Sequence, residues 1–251
     1  MSVYYNEIDP YCCEWLNNLI QTGELPAGDV DSRSIEKVTP DEVRKYTHCH
    51  FFAGLGGWAY AAKLAEWPAD KPLWTGSCPC QPFSVSGEGK GFSDPRHLWP
   101  QFFRLIRTVR PSVVFGEQVT GKAGYIWFDQ VADDLESCRY PARAFDLTAS
   151  AVGAEHVRPR LYWVAHSLCE GLERFKPQRS GIRSQPQPPS TKCGHTSLPT
   201  RVFKSATPSS VLSTNGLSHP VGIIRAFGNA VVPQVAAEVL LAYLESEAEH
   251  T

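Results

Sequence analysis

His48-Cys-His-Phe-Phe-Ala-Gly-Leu-Gly-Gly-Trp-Ala-Tyr-Ala-Ala-Lys-Leu64 sets a strand candidate, His48 to Phe52, directly against a glycine loop and then a helix running through Tyr60 and Leu64. Glycines let backbone amides approach a ligand closely and adopt φ values that other residues avoid. Strand, glycine loop and helix in succession form the repeating unit of an α/β sheet, and such sheets keep their chemistry at the carboxyl ends of the strands. A Gly-x-Gly-Gly loop by itself also suits an ordinary tight turn, so residues elsewhere must decide between the two.

Outward from this stretch, short apolar runs alternate with helical patterns, which predicts a largely parallel sheet covered by helices. Val3-Tyr4-Tyr5-Asn6 reads as a strand. Pro10 opens a helix through about Ile20 that ends at Gly23, and Pro40 opens another through Tyr46. Pro72 to Thr75 is a strand stopped by Gly76, and Ser112 to Phe115, Ala142 to Leu147 and Arg160 to Ala165 are further strands. Helical spacing recurs over Leu98 to Val109, Ile126 to Leu135 and Pro233 to about Glu247, the last with Val235, Val239, Leu240 and Leu244 on one face.

With 251 residues, 42% hydrophobic and 20% charged, the chain has the size and apolar content of one α/β domain with at most a small appendage. No apolar run is long enough to span a bilayer. Eight cysteines without a signal peptide argue against a disulfide framework and for a reducing, cytoplasmic setting. The close pairs Cys12-Cys13 and Cys78-x-Cys80 lack the Cys-x2-Cys spacing of a zinc knuckle, so no metal site is expected. The overall charge is only -2, but residues 169–218 hold seven Lys and Arg against two Glu, a local excess of +5. Rich in Pro, Ser, Thr and Gln, that segment reads as an extended basic insertion, either a solvated linker or an arm that contacts phosphates.

Gly76-Ser-Cys-Pro-Cys80, continuing Gln-Pro-Phe-Ser84, places the Cys80 thiol in a proline-stiffened loop after a strand. Buried cysteines are common as small hydrophobes, yet a rigid polar loop presents this one as a nucleophile. At the amino terminus Glu7 follows the first strand and Asp29 follows a Gly28 turn. A carboxylate at a strand end beside a glycine loop can accept from ribose hydroxyls, and another can accept from an adenine amino group, which together outline an adenosine pocket.

Phe52-Ala-Gly-Leu-Gly-Gly57, Pro79-Cys-Gln-Pro-Phe-Ser84, Glu117-Gln-Val119, Arg158-Pro-Arg160 and Gly228-Asn-Ala-Val231 resemble, in order, the motifs of C5-cytosine DNA methyltransferases. The resemblance covers residues 51–165 and 222–240. It implies a Rossmann-like, S-adenosylmethionine-dependent methyltransferase sheet with helices on both faces and a short irregular insertion. S-adenosylmethionine is the implied cofactor, with Phe52, Gly54, Gly56, Gly57, Glu7, Ile8, Asp29, Val30, Pro79, Asn229 and Val231 around it. Cys80 is the implied nucleophile at cytosine C6, Glu117 the proton donor to N3, and Arg158 and Arg160 the guanidinium forks holding the cytosine O2, a phosphate or the catalytic carboxylate. Both arginines are expected to point to one side of a strand edge.

Two features depart from the family pattern. Asn6-Glu-Ile-Asp9 and Gly28-Asp-Val30 look like the second and third motifs yet precede the glycine loop, so the order is permuted and the helix after Gly57 should lead to the Cys80 strand instead of the Glu7 strand. Gln118 stands where the family carries Asn, and His156 where it carries Gln. The expected organisation is a catalytic and cofactor-binding domain over 1–168, whose amino-terminal segment 1–46 is permuted, a reduced basic target-recognition region or linker over 169–220, and a C-terminal helix over 221–251 that completes the domain. Double-stranded DNA is the expected partner, with a glycine-rich loop from Ser84 to Asp94 closing over it, and the oligomeric state is not set by the sequence. Two other readings fit the same motifs: a catalytically weak or silent DNA- or cofactor-binding homologue, and an enzyme acting on RNA cytosine or with another one-carbon donor.

Overall fold

A computed structural model of the chain describes residues 2–79, 97–168 and 229–248. By its contacts the chain divides into two compact units, residues 1–169 with 221–251, and residues 170–220. The second unit, and with it the expected basic insertion, lies outside the described residues.

The first unit is a seven-stranded mixed sheet with helices on both faces. In chain order its elements are β1 (Val3–Asn6), α1 (Pro10–Gln21), β2 (Gly28–Asp31), the four-residue α2 (Pro40–Val43), β3 (His48–Phe51), α3 (Gly57–Leu64), β4 (Leu73–Gly76), α4 (Trp99–Val109), β5 (Val113–Val119), α5 (Lys122–Ser137), β6 (Ala142–Thr148), β7 (Pro159–His166) and α6 (Pro233–Ala248). The strands lie in the order β2-β1-β3-β4-β5-β7-β6; the first five are parallel and β7 runs antiparallel to both its neighbours. Every residue of β1, β3 and β4 is buried, as a parallel sheet covered on both faces requires.

Alternation along the strands sorts the helices by face. Tyr4, Cys49, Phe51, Trp74 and Val114 pack with the Ile35–Lys37 turn, α2, α4 and α5. Val3 and Tyr5 pack with α1 and Ala59 of α3, while Leu73, Val113 and Phe115 pack with α3 and α6. Burial of Val235, Val239 and Leu240 contributes roughly 1.5–3 kcal/mol per side chain to docking of α6.

This sorting has a topological consequence. The connections β1-α1-β2, β2-α2-β3 and β4-α4-β5 share one hand, whereas β3-α3-β4 moves in the same direction as β4-α4-β5 with its helix on the opposite face. Crossovers between parallel strands are right-handed in about 98% of cases, so β3-α3-β4 is the left-handed exception. The permuted order is the cause: a helix that would return to the neighbour on the β1 side runs to β4 instead, while its apolar face packs against β1, β4, β5 and α6.

Three local expectations are revised. The helix from Pro40 stops at Val43, four residues long, and Tyr46 leaves the helical path with its hydroxyl on the Asp29 carboxylate. Gly28 is the first residue of β2 and not a turn; a Cβ there would sit 2.4 Å from the Val3 carbonyl oxygen, so glycine is needed for close strand approach. Finally, β5 does not end at Phe115 but continues to Val119, because β7 pairs with it residue for residue from Val113↔His166 to Val119↔Arg160.

At Gly116 in the middle of that ladder, a Cβ would lie 2.3 Å from the ring of Trp163, itself fully buried. Gly116→Ala is expected to destabilise the domain by about 1–3 kcal/mol, read as a lowered urea midpoint. An unchanged midpoint would contradict the packing of Trp163 across β5.

Candidate active site

The carboxyl ends of β1, β3, β4 and β5 meet along one edge of the sheet. At the end of β3 the backbone leaves the extended region: Phe52 has φ 52°, Gly54 φ 55° and Gly56 φ 83°. A non-glycine residue at positive φ is strained, and the loop is held by Ala53 N–H donating to the Asn6 carbonyl at 3.0 Å and Gly56 N–H to Ala53 at 2.9 Å. The Glu7 carboxylate spans the junction, accepting from Gly54 N–H at 2.7 Å and from Asp9 N–H at 2.9 Å. Asp9 in turn caps α1 through Tyr11 and Cys12 N–H. Thus the first strand and the glycine loop, distant in the chain, share one carboxylate.

Around this junction some positions are open and others close-packed among the described residues. Among the described residues, no heavy atom beyond its chain neighbours lies within 4 Å of a Cβ placed on Gly54, and the Ile8 side chain is 64% exposed. On Gly56, by contrast, a Cβ would strike Leu25 at 2.5 Å, and on Gly57 it would sit 3.0 Å from the Val231 carbonyl oxygen. The segment before α6 therefore lies against the glycine loop. Asp29 and Val30 stand lower on β2: Asp29 receives the Tyr46 hydroxyl and Val30 packs against the core. It is Asp31 that reaches the carboxyl edge, where the Tyr4 hydroxyl at 2.7 Å and the Arg33 guanidinium occupy it.

Past β4, the loop toward Cys80 is pinned from both sides. Trp58 of α3 donates its indole N–H to the Ser77 hydroxyl at 3.0 Å, and Gln118 of β5 donates its amide to the Cys78 carbonyl at 3.4 Å. Gln118 is buried and also accepts from Val119 N–H, so the longer amide found in place of Asn reaches across to the loop. The Cys78 thiol is buried, and burial pushes its pKa up, which marks it as core. Pro79 is exposed. Cys80 and the glycine-rich segment after it lie outside the described residues.

Glu117 lies within β5, only 8% exposed, with Arg160 of β7 at 2.8 Å from its Oε1. Burial raises its carboxyl from 4.5 to about 7, outweighing the opposing pull of Arg160 and Arg158. A carboxyl poised there can hold or release a proton near neutral pH.

The two arginines part company. Arg158 precedes β7 with φ 34° and so falls outside the strand alternation; its Nη2 donates to the Ala230 carbonyl at 2.9 Å. Only Arg160 pairs with Glu117 by direct contact among the ion pairs of the described residues. His156 and Asn229 are exposed. Sequence reading missed the Trp58–Ser77 and Arg158–Ala230 links; neither pairing carries a local signal, since 19 and 72 residues separate the partners. Among the described residues no cluster of His, Cys, Asp and Glu could hold a metal ion.

A mixed sheet with a glycine loop, a carboxylate bridging it and a buried Glu–Arg pair gathers these groups at one edge. Residues 1–191 match the family model of C-5 cytosine-specific DNA methylases, and the chain belongs to that family. It is 30% identical over 178 residues to the Type II methyltransferase M.HhaI of Haemophilus parahaemolyticus, a match covering 69% of this chain and 45% of that protein. To the Type II methyltransferase M.NaeI of Lentzea aerocolonigenes it is 35% identical over 98 residues, 37% of this chain and 23% of that one. The chain thus spans less than half the length of these relatives. Among solved structures, a Spodoptera frugiperda DNMT2 mutant is 19% identical, covering 74% of this chain and 55% of that chain at a TM-score of 0.42.

The raised Glu117 carboxyl has a sign that can be measured. Below 4.5 folded and unfolded chains both hold the proton; from there to about 7 only the folded chain does. The stabilisation is therefore complete at low pH and is lost as pH rises through about 7. Between about pH 5 and pH 8, urea unfolding should show wild type losing more stability than Glu117→Gln. A difference between the two that is independent of pH would contradict the buried, protonated carboxyl.

Proposed function

We propose that this chain transfers a methyl group to C5 of cytosine in double-stranded DNA, with S-adenosylmethionine as donor. The observation that carries the reading is the buried Glu117 carboxyl, paired with Arg160 and set one strand away from the loop that leads to Cys80. Cytosine C5 is a poor nucleophile until a group adds at C6. In the reading, the Cys80 thiolate forms a bond to C6 while Glu117 delivers its proton to N3, turning the ring into an enamine-like species. Arg160 keeps the carboxylate oriented and offsets its charge once the proton has gone. C5 then takes the methyl, the C5 proton leaves to solvent, the C6–S bond breaks to free the thiolate, and N3 returns its proton to the Glu117 carboxylate as the aromatic ring is restored.

The residues at the carboxyl edge suit the cofactor. Glu7 offers carboxylate oxygens to ribose hydroxyls, exposed Ile8 offers an apolar face to a purine, and the uncovered backbone at Gly54 allows close approach. When bound, S-adenosylmethionine supplies an electrophilic methyl group. Val231 lies against Gly57, and exposed Asn229 and Pro79 are assigned to the same site in this reading. Asp29 stands lower on β2 with one carboxylate oxygen on the Tyr46 hydroxyl, so Ile8 and Glu7, nearer the carboxyl edge, are the stronger contacts.

A base inside a duplex must be extruded before C6 can be attacked, which places the phosphates under the protein's control. We assign that holding role to the basic residues of 169–220, the stretch of sequence between the arginine motif and the Gly-Asn motif. In this reading residues 1–168 and 221–251 form the catalytic and cofactor-binding domain.

Unmethylated duplex DNA incubated with methyl-labelled S-adenosylmethionine should acquire 5-methylcytosine with the wild-type protein and lose it with Cys80→Ser. Label on RNA alone would reassign the substrate, and no label on either would sink the enzymatic reading.

A further inference from the structure

Two arginines separated by a single proline, in a motif suggestive of one shared task, have separate partners. Arg160 holds Glu117 at 2.8 Å, while Arg158 reaches 72 residues along the chain to the Ala230 carbonyl at 2.9 Å. The backbone at Arg158 has φ 34°, although a residue that precedes a proline is biased to extended conformations and a bulky side chain rarely adopts positive φ. Strain of this kind persists where surrounding contacts over-determine it, and it clusters at functional sites. The carbonyl that Arg158 holds belongs to the residue before Val231, whose own carbonyl oxygen and Cβ would lie 3.0 Å and 3.2 Å from a Cβ on Gly57. Gly57 opens α3 directly after the glycine loop.

From these contacts we infer that Arg158 is a positioning residue that clasps the segment 230–232 against the glycine loop, and so controls retention of the cofactor and not the binding of the pyrimidine. A guanidinium bound to a carbonyl is charge-assisted, and the partial burial that lowers the Arg158 pKa strengthens such a bond by excluding water. The segment enters α6, whose buried residues Val235, Ala236 and Leu240 pack on α3, so a loosened clasp frees the end of α6 nearest the loop while leaving the rest of the helix docked. The two arginines then divide the site: one faces the proton, the other the lid of the cofactor pocket.

This inference rests on the proposed S-adenosylmethionine site, and two measurements separate their fates. Isothermal titration of S-adenosylhomocysteine without DNA should show Arg158→Ala weakened about tenfold or more, Arg158→Lys weakened less because a donor is retained, and Arg160→Ala close to wild type. Hydrogen exchange of the ligand-free protein should show the Ala236 amide, which donates to the Val232 carbonyl, less protected in Arg158→Ala but not in Arg160→Ala. Steady-state kinetics should place the Arg158 effect in KM for the methyl donor and the Arg160 effect in kcat. Wild-type affinity and wild-type exchange in Arg158→Ala would overturn the clasp. If the wild-type protein binds no S-adenosylhomocysteine, the cofactor reading fails, and the exchange measurement alone still decides whether Arg158 holds the segment. Should Arg158→Ala fail to fold, Arg158→Lys carries both measurements, with unchanged affinity and exchange again counting against the clasp.

Discussion

Parallel pairing of β3 between β1 and β4 is the constraint on which the rest of the molecule depends. It brings the first carboxylate of the chain, Glu7, to the glycine loop and the loop to the strand that leads toward Cys80. Sheet neighbours are set in space, so the permuted order of motifs changes the connections and leaves the edge intact. Its cost is the left-handed β3-α3-β4 crossover, which runs against the natural twist of the strands. Burial offsets that cost: α3 buries Trp58, Ala59, Ala61 and Ala62 between the sheet and the helices α1 and α6. The same helix donates Trp58 N–H to Ser77, so the element with the unfavourable connection also steadies the Ser77–Cys78 segment.

A second dependence is electrostatic. Extension of β5 to Val119 through its ladder with β7 draws Glu117 out of solvent, and the paired strand supplies Arg160 directly to it. Desolvation and ion pairing act in opposite directions on that carboxyl, and desolvation prevails, with the result near 7. Were β5 to end at Phe115, the same residue would be a solvated loop carboxylate and a poor proton donor at neutral pH.

Much of this was legible because it depends on local pattern. Period-two and period-3.6 spacing gave the strands His48–Phe51 and Ala142–Thr148 and the helices α1, α4 and α6 nearly to the residue. Proline and glycine marked the starts of α1 and α6 and the end of β4. The motifs at Phe52, Glu117 and Arg158 were readable as a family resemblance, and the match over residues 1–191 bears out that recognition. Hidden from sequence were the properties that need a partner strand or helix: β5 running past Phe115, Gly28 as a close-packed strand residue, the short α2, and Arg158 turned toward Ala230. Each is fixed by contacts between residues far apart in the chain, and no composition or periodicity within a window records them.

The central claim is that Cys80 adds to cytosine C6 with Glu117 supplying the proton to N3. Duplex DNA carrying 5-fluorocytosine tests it most directly, because fluorine cannot leave as the C5 proton does and the adduct is held. With S-adenosylmethionine present, the wild-type protein should form a denaturation-resistant complex with that DNA, mapped to Cys80 by peptide mass, and Cys80→Ser should form none. A complex that survives Cys80→Ser, or methylated DNA produced without any trapping, would contradict the account.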